Sequence, residues 1–304
     1  MTFEVRIPAS TANLGPGFDC FGLALKLYLT VRATAMPGAS EPCCVTTTGA
    51  KENEVLPRNS VNLIYRAMAF VARREGTVLP PVDLVVHNEI PLASGLGSSA
   101  AAIVAGIKLA GLITGQELPD RVIQNYATEF EGHPDNVAPA LFGGFSANCI
   151  RDDGTVVSAR FDWPSQIRLI VVSPHSQLPT HVARAALPRT VSRVDAVYNL
   201  QRTSLFTAAL AQQRYDLLWE AMRDRLHQSQ RESLVPGLAE ALALPPMPGL
   251  LGIALSGAGP SLVALVDDNE EEIGARVAGC FRAHEIESTV RIIEADNEGC
   301  RVQS

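Results

Sequence analysis

The sequence predicts an α+β protein organised as two domains. Three observations carry that prediction. The chain has 304 residues, more than one compact core usually serves. Apolar residues make up 47% and charged residues 19%, enough to fill sizeable cores and far from a disordered composition. Short runs of strand character also interleave with helical stretches, in an order that suits an α+β sandwich.

The elements follow in chain order. Residues 3–7 alternate as a short strand, 8–17 are loop-like, and strand character resumes over 21–34 with Gly22 as a break. Residues 36–60 carry Pro37, Gly38, Pro42, Gly49 and Pro57 and read as an irregular hairpin region. Leu63, Ala67, Phe70 and Val71 set a helical spacing over 62–74, and 82–86 read as a strand. Residues 98–113 are apolar on most faces, which predicts a buried helix. Pro119 opens another helix near its first turn, reaching Glu131, and Gly132-His133-Pro134-Asp135-Asn136 breaks it. Gly143-Gly144-Phe145 turns into a strand near 146–150. Arg151-Asp152-Asp153-Gly154 reads as a hairpin turn and sets the expected boundary between a first domain, 1–153, and a second, 154–304. The second half offers a strand at 167–173, a helix from about Thr180 and a long helical region over 193–229 broken near 212–215. Strands at 251–255 and 262–266, an acidic-capped helix over 269–284 and a strand at 288–293 complete it.

Charge and composition exclude several classes of function. The formal net charge is −7 and no Lys/Arg cluster runs along one face, which argues against a nucleic-acid partner. No uninterrupted apolar run reaches membrane-spanning length, and residues 1–10 lack a charged-then-apolar leader pattern, so a cytoplasmic protein is expected. The six cysteines form no CxxC pair, which favours reduced thiols and no zinc site.

The densest chemical signal is Pro91, Leu92, Ala93, Ser94, Gly95, Leu96, Gly97, Ser98, Ser99, Ala100 and Ala101, between a strand and a long apolar helix. This order places free backbone N–H groups at a helix N-terminus beside two hydroxyls, a site suited to a nucleotide's phosphates. Gly95 and Gly97 allow close approach and positive φ, and Ser98 and Ser99 can reach a phosphate oxygen or magnesium. The segment alone also fits a dinucleotide G-x-G-x-x-A pattern or a plain capped loop. Glu117 sits at a suitable distance for the dinucleotide acid, but in a turn rather than at a strand end. The Walker A lysine is absent.

Three further groups carry chemistry. In the first, 8–19, Asn13 and Asp19 can together bind a hydroxyl or an ammonium, or bond their own backbone as an ordinary turn. In the second, 129–136, a carboxylate of Glu129 or Glu131 could hold magnesium while His133, Asp135 and Asn136 are presented by a kinked loop; solvated helix-end charges are the bland alternative. In the third, Thr180 and Arg184 lie four apart on one helix face, and Arg231 precedes Pro236-Gly237. Paired arginines suit a carboxylate or phosphate, and Ser256-Gly257-Ala258-Gly259-Pro260-Ser261 adds a second glycine-lined surface.

Together these segments resemble the GHMP kinases, the superfamily of galactokinase, homoserine kinase, mevalonate kinase and phosphomevalonate kinase. PLASGLGSSAA looks like the superfamily's phosphate loop and SGAGPS like its third motif. PASTANLGPGFDCFG, EGHPDNVAPALFGG and THVARAALP look like its homoserine kinase branch, and the likeness covers nearly the whole chain. The resemblance implies a GHMP kinase fold, with an N-terminal domain like domain 2 of ribosomal protein S5 and a ferredoxin-like C-terminal domain. ATP would lie between them with its phosphates on residues 91–101 and its base near Asn62. Ser98 and Glu131 would hold Mg2+, with Glu129 as the other choice. Asn13, Asp19, His133, Asp135, Thr180, Arg184 and Arg231 would surround L-homoserine, the arginines on its carboxylate and the acids on its ammonium and hydroxyl.

The implied reaction is phosphoryl transfer to a primary hydroxyl in threonine biosynthesis. Some members use an Asp base assisted by a Lys; here Asn136 stands in the matching place and the first motif holds no lysine. Asn13, Asp19 and Asn136 would then orient the hydroxyl, and its proton would leave to phosphate or water. The rivals are a sister kinase of mevalonate or shikimate type and a non-catalytic ligand sensor on the same fold. A homodimer is implied by the resemblance only.

Overall fold

The computed structural model describes residues 1–48 and 56–303. Part of the irregular region expected over 36–60, including Gly49, lies outside the described residues. The chain runs β1 (Thr2–Ala12), β2 (Phe21–Ala35), β3 (Cys43–Thr48), α1 (Leu63–Arg74), β4 (Val82–Asn88), α2 (Ser98–Thr114), α3 (Asp120–Glu131), α4 (Val137–Phe142), β5 (Phe145–Ile150) and β6 (Val156–Phe161). It continues with β7 (Arg168–Pro174), α5 (Thr180–Ala185), α6 (Arg193–Ala211), α7 (Leu218–Ala221), α8 (Leu238–Leu242), β8 (Leu250–Leu255), β9 (Leu262–Val266), α9 (Glu270–Arg282), β10 (Ser288–Ile293) and β11 (Arg301–Gln303). After α6 the long helical region expected over 193–229 reduces to a 3-10 turn at Tyr215–Leu217 running into the four-residue α7, and a second 3-10 turn follows at Ser229–Leu234.

β1 extends well past the expected 3–7. Its register with β2 shifts between Pro8 and Ala9, then pairing resumes through Ala12 opposite Gly22. A bulge is where a sheet tolerates a residue without an N–H donor. Ser10 and Thr11 are therefore fully buried strand residues, not loop residues. Gly22 likewise continues β2; a Cβ there would overlap the Asp135 carbonyl, so its role is close approach to the segment that carries Asp135.

Among the described residues the first sheet has seven strands, ordered β11-β1-β2-β4-β3, with β5 joined to β2 and β6 to β5. β3 and β4 are parallel, the other pairs antiparallel. The second sheet, β10-β7-β9-β8, is antiparallel, and with α9 and the helices before β8 it forms the split βαβ arrangement of a ferredoxin-like domain. This layering corrects the boundary at 153/154. β5 and β6 pair from Phe145–Phe161 to Ile150–Val156, so a cut there would split one hairpin of the first sheet. The last strand, β11, also returns to β1.

The apolar residues of α2 face the first core on most sides, including Ile103, Val104, Ile107 and Leu109. Gly106 lets α1 cross closely, since a Cβ there would overlap the Ile64 carbonyl. Phe206 of α6 packs at 5.2 Å from Phe21 and 5.4 Å from Phe145, tying the helical region to the first sheet. A second core lies on the four-stranded sheet, with Ile170, Leu255, Val277 and Phe281. No helix among the described residues is long and apolar enough to cross a membrane.

Candidate active site

The glycine run forms a loop that enters α2. Ala93, Gly95 and Gly97 have φ of 50°, 81° and 68°. Gly97 is the N-cap, and no side chain caps it, so the N–H groups of the first turn lack intrahelical partners. Both glycines answer to protein packing as much as to a ligand. A Cβ on Gly95 would overlap the Ser256 carbonyl, and one on Gly97 would overlap Ser10 Oγ. Ser256 Oγ donates to Gly95 O (2.7 Å), Ser261 N to Ser94 O (3.1 Å) and Gly257 N to Ala12 O (3.0 Å). The serine-glycine loop after β8 thus clamps the glycine loop after β4, which sets the spacing between the two halves.

A cavity of about 360 Å³ opens beside this junction. Residues 91–99 line it, with Asn62 and Glu131. Ala100 and Ala101, expected to bind the nucleotide, are fully buried in the first core and outside the cavity lining. Asn62 caps α1, accepting from Ile64 N (3.0 Å) and donating to Pro57 O (2.8 Å). Of the two glutamates, Glu131 faces the cavity and accepts a short hydrogen bond from Ser99 Oγ. Glu129 points away and pairs with Arg74 at 2.7 Å. Ser98 also lines the cavity, but Ser99 makes the bond to Glu131.

The other end of the cavity is strongly polar. Asn13 and Asp19 both hold positive φ, 71° and 53°, and Asn13 Oδ1 accepts from Asp19 N (3.1 Å) while Nδ2 donates to Gly257 O (2.9 Å). Asn13 thus spans from the first loop to the serine-glycine loop. Arg184 grips Asp19 with two N–H groups, at 2.7 and 3.0 Å. His133 Nδ1 donates to Asp135 Oδ1 at 2.5 Å, and one ligand atom from each of Asp19, His133 and Asp135 falls within a 4.8 Å cluster. Burial draws the His133 pKa down, but the Asp135 bond and the charges of Asp135 and Glu131 outweigh it, so the net direction is up. Asn136 Oδ1 accepts from Ser10 Oγ (2.9 Å), and a Cβ on Gly97 would come within 2.9 Å of it. That places Asn136 between the glycine loop and the acidic cluster. Thr180 and Arg184, one turn apart on α5, line the same cavity.

Arg231 is 1% exposed and has no carboxylate among its hydrogen-bond partners. Its Nε donates to Ala183 O (3.2 Å) and its Nη1 to Gly257 O (3.0 Å) and His227 Nδ1 (3.1 Å). Burial, with Arg184 nearby, pushes its pKa down to about 10, which leaves it a cation at neutral pH. A buried cation facing a cavity without a bonded acid can receive an incoming anion. Ser10, Asn199, Asp224 and His227, all buried around this end, were missed. Ser10, Asn199 and His227 reach partners far away in sequence, at Asn136, Pro16 and Gly15, Asp224 bonds mainly its own neighbours, and only the first motif's Ser10 stood in a segment already singled out.

The family models match in two places: GHMP kinases N terminal domain over residues 62–144 and GHMP kinases C terminal over 206–283. The homoserine kinase of Solibacter usitatus is 44% identical over 280 residues, 92% of this chain and 90% of that protein. The chain belongs to the GHMP kinases, in the homoserine kinase family. The homoserine kinase of Aquifex aeolicus is 38% identical over 99% of both chains. The crystal structure of homoserine kinase from Cytophaga hutchinsonii superposes with a TM-score of 0.86 at 27% identity, covering 99% of this chain and 97% of that one. Lactococcus lactis galactokinase, at 14% identity and a TM-score of 0.70, shares the fold.

As a GHMP kinase the protein is an ATP-dependent phosphotransferase that acts on an alcohol. The cavity's donors suit magnesium: Glu131 and the hydroxyls of Ser98 and Ser99 are all hard oxygen ligands, beside a helix N-terminus.

Proposed function

We propose that this protein transfers the γ-phosphoryl group of ATP to the side-chain hydroxyl of L-homoserine, giving O-phospho-L-homoserine in threonine biosynthesis. The observation that carries the reading is the buried Arg231, beside the Arg184–Asp19 pair, in one cavity with the glycine loop. A mevalonate-type substrate would supply a carboxylate but no ammonium. A sugar would bring no carboxylate to the buried Arg231, and shikimate would bring one without an ammonium for the acidic end of the cavity. An amino-acid zwitterion satisfies both ends.

ATP would place its base near Asn62 and its phosphates on residues 91–99 and the first turn of α2. Ser98 and Glu131 would hold Mg2+, with Ser99 in reach through its bond to Glu131. When bound, that ion offsets negative charge on the phosphates. Arg231 and Arg184 would take the carboxylate, while Asn13, Asp19, His133 and Asp135 receive the ammonium and orient the chain, with Thr180 at the rim. Asn136, next to Gly97, would accept or donate at the reacting hydroxyl. Asp19 is already committed to two Arg184 N–H groups, which favours orientation over proton abstraction. Positioning and fixed donors would then supply most of the rate, and the hydroxyl proton would pass to phosphate or water.

A coupled ADP-release assay tests this. The expected result is turnover with L-homoserine well above mevalonate, shikimate and galactose. Preference for any of those three would overturn the substrate, and no turnover with any alcohol would favour a sensor. A homodimer with no membrane or nucleic-acid partner, working in the cytoplasm, is part of the same proposal, and sedimentation checks the oligomer.

A further inference from the structure

Arg231 does not orient itself. Its Nε and Nη1 are fixed by two carbonyls and one imidazole nitrogen, which sets the plane of the guanidinium. Its Nη2 has no protein partner among the described residues and is the donor left for the cavity. The imidazole is that of His227, fully buried and stacked on Phe18 at 5.2 Å. A guanidinium can only donate, so Nδ1 of His227 must be the acceptor in its 3.1 Å contact with Arg231. A carbonyl can only accept, so Nε2 carries the proton in its 2.8 Å bond to Gly15 O. The bonds therefore demand a neutral ring in a single tautomer.

Both ends of that ring bear on the cavity. Gly15 belongs to the tight loop between Asn13 and Asp19, where a Cβ would overlap the Met222 carbonyl. Asn199 Nδ2 and Thr203 Oγ1 hold the next carbonyl, Pro16 O, at 3.1 and 3.3 Å. Asp224 fixes the segment that carries His227 by accepting from the N–H groups of Leu226, His227 and Gln228.

We propose that His227 is a positioning residue that aims Arg231 Nη2 at the substrate carboxylate and locks it to the loop bearing Asn13 and Asp19. The proposal rests on Arg231 as the carboxylate receptor. Burial lowers the His227 pKa against the pull of Asp224, in keeping with the neutral ring. Protonation at Nδ1 would remove the acceptor and set cation against cation.

Two variants separate the bonds. His227→Gln can keep a donor toward Gly15 but loses the acceptor for Arg231. His227→Asn restores an acceptor where Nδ1 lies and loses the Gly15 bond. The expected result for His227→Gln is a KM for homoserine raised by about tenfold or more, with kcat within about threefold and KM for ATP unchanged. His227→Asn should recover most of that loss. Unchanged KM for homoserine in His227→Gln, no recovery in His227→Asn, or an equal rise in KM for ATP would overturn the proposal. Nitrogen NMR of the wild-type enzyme covers the case in which the Gln variant does not fold. The His227 ring, assigned by its loss in His227→Asn, should show an unprotonated Nδ1 near neutral pH, whose resonance moves with homoserine and not with an ATP analogue. A protonated or silent Nδ1 would contradict the link to Arg231. Lack of wild-type turnover with homoserine would instead overturn the substrate reading, and the tautomer would still decide the link.

Discussion

Asp19 shows how far a single residue can be argued from its partners. Its positive φ of 53°, its N–H bond to Asn13 and its two bonds from Arg184 fix it before any substrate arrives. A carboxylate held as one half of an ion pair orients better than it abstracts. Asp19→Asn should raise KM for homoserine and lower kcat by no more than about 10³-fold; a loss beyond about 10⁴-fold, above the usual general-base contribution, would restore a base role. Steady-state kinetics read both. His133 makes a different prediction. Burial lowers its pKa, but Asp135 and Glu131 raise it further, to a net value above the unfolded one. The charged pair therefore adds stability that is fully present below the unfolded pKa of roughly 6.5 and is lost as pH rises through the folded value. Thermal unfolding of wild type and His133→Asn across mildly acidic to alkaline pH should show the gap narrowing as pH rises; a gap that widens would contradict the pairing.

At the scale of elements, the loop into α2 is held by contacts from both sheets. Gly97 needs φ of 68° and leaves no room beside Ser10 Oγ. Gly97→Ala should cost about 2 kcal/mol or more, from backbone strain plus overlap, and raise KM for ATP. Thermal unfolding and ATP titration check it, and an unchanged melting temperature would sink the packing account. This loop was legible in the sequence because its glycines, serines and apolar helix are contiguous. The bulge at Pro8 was not, since 3–7 carries the clear alternation and Pro8 reads as a stop until its bulged partner on β2 is known. The six-residue α4 was also missed, as its apolar run is too short for a helical period to show. Asn13, Asp19, Arg184 and Arg231 were named from motifs, but the bonds from Arg184 to Asp19 span 165 positions and that from Asn13 to Gly257 spans 244, and spacing carries no such information.

At the scale of the molecule, the ends of the chain return to one sheet. β11 pairs with β1, and Asp296 beside it accepts from Tyr28 Oη (2.8 Å), Arg301 (2.5 Å) and the N–H groups of Glu298 and Gly299. Asp296→Ala should cost roughly 3–5 kcal/mol in denaturant unfolding, because it strands buried donors, while kcat/KM stays within about twofold. A three-residue strand at the far end of the sequence gave no periodic signal, so this closure, and with it the correction of the 153/154 boundary, came only from pairing. Clamping the serine-glycine loop on the glycine loop then joins both sheets around the cavity, where Arg231 waits as a buried cation. The central claim is that this cation reads the carboxylate of an amino-acid alcohol. The most direct measurement is kcat/KM for L-homoserine against 3-aminopropan-1-ol, which lacks the carboxylate, in wild type and Arg231→Met. Wild type should favour homoserine by about 10³-fold or more, and Arg231→Met should erase most of that preference by losing homoserine alone. Equal use of both alcohols by wild type, or an undiminished preference in Arg231→Met, would contradict the account.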